Sequence, residues 1–302
     1  KSKSGNAKQI WKEIEEVLKV RNVSYQAFVS EYRGHAGKLA AEICAMDDND
    51  ICLVAVGGDG TANEVINGIT DFEKVRFGVI PTGSGNDLAR GLSLSKDPKN
   101  GAIHILNAMK KSREDTWCMD LGEVNFGEKK RLFAISAGIG LDALVCKKAL
   151  KSTIKDILNK IRLGKLTYLV LTVQSLFTMQ TADAEIFFDR EKGLQKKRMI
   201  FTAAMNFKAE GGGVPMAPAA SACDGELSFC EAAGIPKWRT FLCLPFLVAA
   251  KHTSIHGFSV TDAKDCTIRL SRPMVVHADG EYCGEVTEVH FHCLPGKLRV
   301  LK

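Results

Sequence analysis

The stretch ICLVAVGGDGTANEV, Ile51 to Val65, decides the fold. Ile51 to Val56 is an unbroken apolar run with no polar alternation, which predicts a strand buried on both faces. Gly57-Gly58-Asp59-Gly60-Thr61 breaks the run, and Ala62-Asn63-Glu64-Val65-Ile66 is compatible with a helix. A strand, a glycine turn and a helix start together aim bare backbone N–H groups at an anion. Asp59 would repel a phosphate placed there unless a divalent cation lies between them. The stretch therefore predicts a metal–nucleotide site.

A second loop repeats this arrangement. Val75 to Ile80 reads as another buried strand, Pro81-Thr82-Gly83-Ser84-Gly85-Asn86-Asp87 as its loop, and Leu88-Ala89-Arg90 as a helix start. Two such loops suit an α/β sheet, which binds ligands beyond the carboxyl ends of its strands. Neither loop ends in Gly-Lys-Ser/Thr and neither is Gly-x-Gly-x-x-Gly, so the Walker A and dinucleotide fingerprints are absent.

Outward from these loops, Ile10, Trp11, Ile14, Val17 and Leu18 recur at helical spacing, Val23 to Val29 reads as a strand, and Gly37 to Ala45 as a helix. Asp97-Pro98 should open a helix running to about Lys111. Alternating strands and helices predict a mostly parallel sheet. From Trp117 onward short β-rich runs dominate: 119–124, 131–137, 184–188, 199–205, 227–231, 266–270, 274–278 and 287–293. They predict a mainly antiparallel β-sandwich, interrupted by helical inserts over 142–180 and 236–251. The expected organisation is an α/β domain over 1–115 and a β-sandwich domain over 116–296.

Composition narrows the function. A chain of 302 residues with 45% hydrophobic content is long enough for two ordinary domains. The net charge of +6 comes from 41 basic residues mixed with 35 acidic ones, which suits an enzyme with a local basic patch better than a nucleic-acid binder. Ten cysteines without a Cys-x-x-Cys pair read as reduced thiols in a cytoplasm. No signal peptide is recognised. The longest apolar run, Thr240 to Ala250, falls well short of the roughly 20 residues needed to span a bilayer.

GGDGTANEV followed by PTGSGNDLAR resembles the diacylglycerol kinase catalytic-domain family, in particular its soluble bacterial lipid kinases. AGIGLDA (137–143), GGGVPMAPAASACDGEL (211–227) and HADGE (277–281) resemble later motifs of that family, in the same order, and together the motifs span most of the chain. The resemblance implies transfer of the γ-phosphate of Mg²⁺·ATP to a lipid hydroxyl, with diacylglycerol the first choice of acceptor and phosphatidic acid the product. It implies a nucleotide bound between the domains by Ser4, Gly5, Ser30, Gly57, Gly58, Asp59, Gly60, Thr61, Asn63, Ser84, Asn86 and Asp87. Asp59 would act through Mg²⁺, Glu281 would be the proton acceptor, and Asp279 would share the cleft. A second Mg²⁺ would take the Asp224 side chain and the carbonyls of Ser221 and Glu226. The family often has two consecutive acidic residues there, and Cys223 replaces the first. Ile135 likewise stands where Asn is common. Lys1 to Asn6 resembles the end of the family's first phosphate loop without the strand and Asn-Pro that precede it, so a trimmed sequence is expected. Lys297 to Lys302 should return to the first domain.

The partners implied are a lipid substrate met at the membrane surface, with peripheral association at the cytoplasmic face of the inner membrane. No nucleic acid is expected; a homodimer is possible, and the oligomeric state is left open.

Each site also has a plainer structural reading. Gly57 to Gly60 can be a tight turn, Asn63 and Glu64 loop-orienting groups, Asp87 a helix N-cap. Asp279-Gly280 is a strong two-residue hairpin signal, and Asp224-Gly225 can be a turn without metal. His35 reads as a cap or packing residue. The cluster of Lys147, Lys148, Lys151, Lys155, Lys160, Arg162 and Lys165, with Leu150, Ile154, Ile157, Leu158 and Ile161 among them, reads equally as a helix docking on anionic lipid or a solvated face. The run Phe241 to Ala250 reads as a buried helix rather than an acyl-chain pocket. His290 and His292 share a strand face with no third ligand evident. Rival functions are a sphingosine or ceramide kinase, an NAD kinase, and a non-catalytic nucleotide or lipid sensor.

Overall fold

The computed structural model describes residues 7–151, 164–189 and 191–302. Ser4 and Gly5, and Lys155, Lys160 and Arg162 of the basic cluster, lie outside the described residues. The chain divides into two compact units, one ending at Met119 and completed by Gly296–Lys302, the other Asp120–Pro295.

The first unit contains α1 (Ala7–Val20), α2 (His35–Cys44), β1 (Ile51–Gly57), α3 (Asp59–Gly68), β2 (Val75–Pro81), α4 (Asp87–Gly91) and α5 (Pro98–Ala108). β1 and β2 are parallel, in register from Ile51↔Val75 to Gly57↔Pro81. The end of β12 (Glu281–Val300) runs parallel to β2, pairing Arg299 with Arg76 and Val300 with Phe77. β2 is therefore central and buried at every position. β1 pairs only with β2 among the described strands, so Cys52, Leu53 and Val54 are half-buried and Val56 is exposed. This corrects the expectation of a strand covered on both faces: an apolar run does not tell an edge strand from a central one.

The Asp97 side chain accepts from Asn100 N–H and Pro98 opens α5, which ends at Ala108, earlier than Lys111. α1 and α5 pack Ile14, Ala102, Ile105 and Ala108 with Ile80 and the C-terminal Leu301. Residues 23–29 are not a strand. They form no ladder, and Phe28 and Val29 are exposed, because β propensity yields a strand only beside a partner edge.

The second unit holds β3 (Trp117–Phe126), which enters it from the first, then β4 (Lys129–Phe133), β5 (Ser136–Gly140), α6 (Leu141–Lys151), α7 (Gly164–Thr178), β6 (Ala182–Phe188), β7 (Leu194–Met199), β8 (Phe201–Met205), β9 (Leu227–Ala232), α8 (Lys237–Val248), a 3₁₀ turn (His252–Ser254), β10 (Phe258–Ala263), β11 (Asp265–Ala278) and most of β12. The ladders β12–β11, β11–β5, β5–β8, β8–β9 and β9–β10 are all antiparallel, as are β11–β6, β6–β7 and β3–β4. Phe229 is central to the core, its ring centroid 5.4 Å from Phe188 and 5.9 Å from Phe291.

Several expected elements are redrawn. The run 131–137 splits at Ala134-Ile135, and 199–205 splits at Ile200. The runs 266–270 and 274–278 are one strand, β11, whose register with β12 shifts between Arg269 and Met274. β10, Phe258–Ala263, joins β9 in an antiparallel ladder although no strand is expected there. α8 is not buried all round: Thr240 and Cys243 face inward, whereas Trp238, Phe241, Leu242, Phe246 and Val248 are exposed. Hydrophobicity gave no inward face to this helix, and packing chose one.

Candidate active site

In the first unit the two glycine loops meet. A Cβ on Gly83 would lie 2.7 Å from the Cα of Gly58, and one on Gly57 would lie 2.6 Å from Thr61 Cβ, so side chains are excluded at both. Thr82 N–H donates to Gly57 O at 2.8 Å, which locks the loops together. Asn86, with φ of 54°, closes the second loop: its amide donates to Gly83 O at 2.7 Å while its Oδ1 accepts from Gly83 N–H at 3.0 Å. Ser84 is exposed at the tip.

Asp59 begins α3, and its Oδ1 accepts from Leu88 N–H at 3.1 Å across the loops. Burial raises the Asp59 carboxyl above the ordinary carboxylate range, opposed by hydrogen bonds from Leu88 and Asn86 and by the charge of Arg90. A Cβ on Gly85 would lie 3.0 Å from Asp59 Oδ2 and 3.8 Å from Asp87 Oδ2, so both carboxylates border that glycine. Asp87 is not the N-cap of α4. Asn86 holds that position, and Asp87 pairs with Arg90. Two carboxylates on a bare glycine loop are the hard oxygen donors that Mg²⁺ prefers, and Asp59 carries burial without a full counter-charge, so these residues fit such an ion.

Around these loops, Asn63 is buried with its Oδ1 3.3 Å from Asn67 Nδ2. Glu64 Oε1 accepts from Gly34 N–H at 2.8 Å and so ties the turn after Ser30 to α3. His35 Nδ1 accepts from Glu31 N–H at 3.0 Å, and its ring stacks on Tyr32. Ser30 itself is exposed.

In the second unit, Asp279 and Gly280 are the two central residues of the β11–β12 hairpin, with φ of 47° and 80°. The turn has the positive φ values of a type I′ hairpin. It is more than a turn, because the Asp279 carboxylate accepts from the N–H groups of Ala134 (2.8 Å), Ile135 (2.8 Å) and Ser136 (3.1 Å). The N–H groups of Ala134 and Ile135 are thus taken by this carboxylate at the point where the run 131–137 breaks, before Ser136 opens β5. Glu281, half-buried, follows immediately.

Beside this hairpin lies a group that sequence reading did not single out. One ligand-type atom each from Asp142, Glu210 and His277 falls within 4.8 Å of the others. Gly280 N–H lies 3.3 Å from His277 Nδ1, and His277 Nε2 lies 3.0 Å from Asp142 Oδ2. Ser136 Oγ donates to Glu210. Burial raises the Glu210 carboxyl. Burial disfavours the charged His277 ring, but Asp142, Glu210 and Asp279 outweigh it and hold the ring at about 8. All three residues sit in or beside quoted motifs: Asp142 in AGIGLDA, His277 in HADGE, and Glu210 one residue before GGGVPM. Only their convergence was invisible.

The Asp224 loop also gains a residue. Asp120, buried on β3, accepts from Gly225 N–H at 2.8 Å through Oδ2 and donates its own N–H to Ala222 O at 2.8 Å. Asp224 Oδ1 accepts from Glu226 N–H at 3.2 Å, and Ser221 Oγ lies 3.5 Å from Cys223 Sγ. Burial and the charges of Asp120, Asp224 and Glu226 push the Cys293 thiol up to about 12. His290 and His292 both pair with Asp265, whose Oδ1 lies 3.3 Å and 2.7 Å from their ring nitrogens, and the three form no metal-type cluster among the described residues.

Apposed, carboxylate-bearing glycine loops on an α/β unit, followed by an antiparallel sandwich unit, suit phosphoryl transfer to an alcohol. Residues 1–119 match the diacylglycerol kinase catalytic domain, and residues 136–302 match the YegS C-terminal NAD kinase beta sandwich-like domain. The chain is 30% identical to "Putative lipid kinase YtlR" of Bacillus subtilis over 98% of its own length and 94% of the relative's. It is 28% identical to a diacylglycerol kinase of Bacillus subtilis over 81% of its length and 75% of that protein's. A solved structure described as a diacylglycerol kinase of Bacillus anthracis superposes with a TM-score of 0.72 at 18% identity, covering 100% of this chain and 93% of that one, a likeness of fold. The chain belongs to the diacylglycerol kinase catalytic-domain family and is a phosphotransferase with an alcohol acceptor.

Proposed function

We propose that this protein is an ATP-dependent lipid kinase that phosphorylates diacylglycerol to phosphatidic acid in phospholipid metabolism. The observation that carries the reading is the apposition of the two glycine loops, Gly58 against Gly83, with the Asp59 and Asp87 carboxylates bordering Gly85. Bare backbone at the start of α3 suits the phosphates of a nucleotide. Asp59 and Asp87 would hold Mg²⁺, which when bound neutralises charge on the transferring phosphoryl group. Thr61, Ser84 and Asn86 would contact or order the phosphates, with Ser4, Gly5 and Ser30 contributing to the nucleotide site. Asp224, Ser221 and Glu226 would hold a second Mg²⁺, and the buried Asp120 carboxylate beside this loop supplies charge that Cys223 does not.

An alcohol is a weak nucleophile at neutral pH, and a carboxylate in hydrogen-bond reach removes its proton as the O–P bond forms. Glu281 is assigned that role. Asp279 is assigned to hold the hairpin that carries Glu281, since its oxygens already accept three backbone N–H groups. The protein would work at the cytoplasmic face of the inner membrane, meeting its acceptor there. Among the described residues no helix is long and apolar enough to cross a membrane.

Purified protein incubated with labelled ATP, Mg²⁺ and micelles of diacylglycerol, sphingosine or ceramide, or with NAD, should yield phosphatidic acid identified by mass. Phosphorylated NAD or sphingosine as the main product would replace the reading, and ATP binding with no acceptor turned over would favour a sensor. Asp59→Ala and Glu281→Ala should each lower kcat by at least about a hundredfold while leaving the far-ultraviolet circular dichroism unchanged. Wild-type turnover in either variant would refute its assigned role.

A further inference from the structure

We propose that α7 and α8 form a docking face for an anionic lipid bilayer. The inference rests on the lipid-acceptor reading only for its choice of a membrane as the biological surface. α8 is largely apolar, with Lys237, Arg239 and Thr240 confined to its first turn, yet it turns just Thr240 and Cys243 fully inward. Its outer stripe leaves Trp238 60%, Leu242 56%, Phe246 50% and Val248 66% exposed. A helix apolar from Phe241 to Val248 belongs either in a core or against lipid, and this one is only half covered. The stripe continues onto α7, whose Val170 and Phe177, one heptad apart, are also exposed. The rings of Phe177 and Phe241 lie 6.1 Å apart, and Lys237 Nζ donates to Phe177 O at 3.3 Å, so the two helices present one continuous surface. Contiguous apolar area of this kind marks an interaction site.

The charges choose the occupant. Neither α7 nor α8 contains Asp or Glu, and none occurs from Lys237 to Val260, whereas Arg239 in the first turn of α8 and Lys251 shortly after its end are exposed. An apolar stripe with a tryptophan, flanked by Arg239 and Lys251 with no Asp or Glu on either helix, matches the boundary between acyl chains and anionic headgroups. A second copy of the chain fits less well, because a two-fold pairing of this face would bring the same cations together with no carboxylate to receive them.

The test is sedimentation of the full chain with vesicles of phosphatidylglycerol and phosphatidylcholine, free of diacylglycerol and ATP, beside vesicles of phosphatidylcholine alone. The wild type should bind the anionic vesicles at least about tenfold more tightly than the neutral ones. The double variant Leu242→Ser, Phe246→Ser should lose at least about tenfold of that binding. Turnover of a water-soluble short-chain diacylglycerol should stay unchanged in the variant. Should the double variant misfold, Trp238→Ala, at an exposed position, carries the same expectation. Equal partitioning of wild type and folded variant, or equal binding to neutral vesicles, overturns the proposal. So does a wild-type dimer that the variant dissociates without vesicle binding. Vesicle binding in a protein that phosphorylates no lipid would leave this face standing and remove the proposed function instead. Lipid phosphorylation with variant-insensitive vesicle binding would do the reverse.

Discussion

Asp279 shows how one residue can satisfy a turn and a site together. Its φ of 47° is tolerated because Asp enters the left-handed region more readily than most residues, and the three N–H donors of 134–136 fix its carboxylate there. An amide in its place offers one acceptor oxygen and turns an NH₂ group toward donors. Asp279→Asn should therefore cost about 1–3 kcal/mol, measured by urea unfolding, and an unchanged midpoint would show that the carboxylate is not needed. His277 predicts a pH effect. Its folded value of about 8 lies above the ordinary 6.5, so the folded state holds this proton more tightly than the unfolded one. That stabilisation is complete below about pH 6.5 and is lost as pH rises through about 8, with a size on the order of 1–2 kcal/mol. Glu210, also raised by burial, acts in the same direction, its stabilisation being present below the ordinary carboxylate range and lost as pH rises. The melting temperature should fall between pH 6.5 and 8 in the wild type, and His277→Gln should flatten that slope.

At the scale of elements, the glycine loops depend on close backbone approach. A methyl at Gly83 meets the Cα of Gly58 at 2.7 Å and Asn86 Oδ1 at 2.9 Å, and the first of these is backbone that cannot swing aside. Gly83→Ala should separate the loops, costing roughly 1–3 kcal/mol and weakening ATP binding measured by calorimetry. Gly101, inside α5, is the contrast. Its added Cβ would touch Ile80 Cγ2 at an ordinary 3.6 Å. Gly101→Ala should raise stability by about 0.5–1 kcal/mol and leave nucleotide affinity alone. The same scale explains the misread strand at 23–29 and the misread burial of β1 and α8. Apolar and β-branched content reports what a segment prefers, but the neighbour that covers or pairs with it comes from elsewhere in the chain.

For the whole molecule, the end of the chain completes its beginning. Leu298, Val300 and Leu301 are buried, and Leu301 N–H donates to Phe77 O at 2.8 Å. Leu301 lies in one cluster with Ile14, Ile80 and Ile105. Leu301→Ala should cost about 2–5 kcal/mol in guanidinium unfolding, despite lying one residue from the end of the sequence given. A loss below about 0.5 kcal/mol would mean that the first unit closes without it.

The sequence alone determined the two glycine loops, the change from α/β to antiparallel texture and the hairpin at Asp279-Gly280, because each is encoded within a few adjacent residues by backbone freedom and hydrophobic period. Tertiary structure alone decided which strand is central, which side of α8 meets solvent, and that Asp120 reaches the Asp224 loop. It also decided that Asp142, Glu210 and His277 meet beside the hairpin carrying Glu281. These depend on residues separated by dozens of positions in the chain, and the energy that brings them together is burial and ladder pairing, which local sequence does not express.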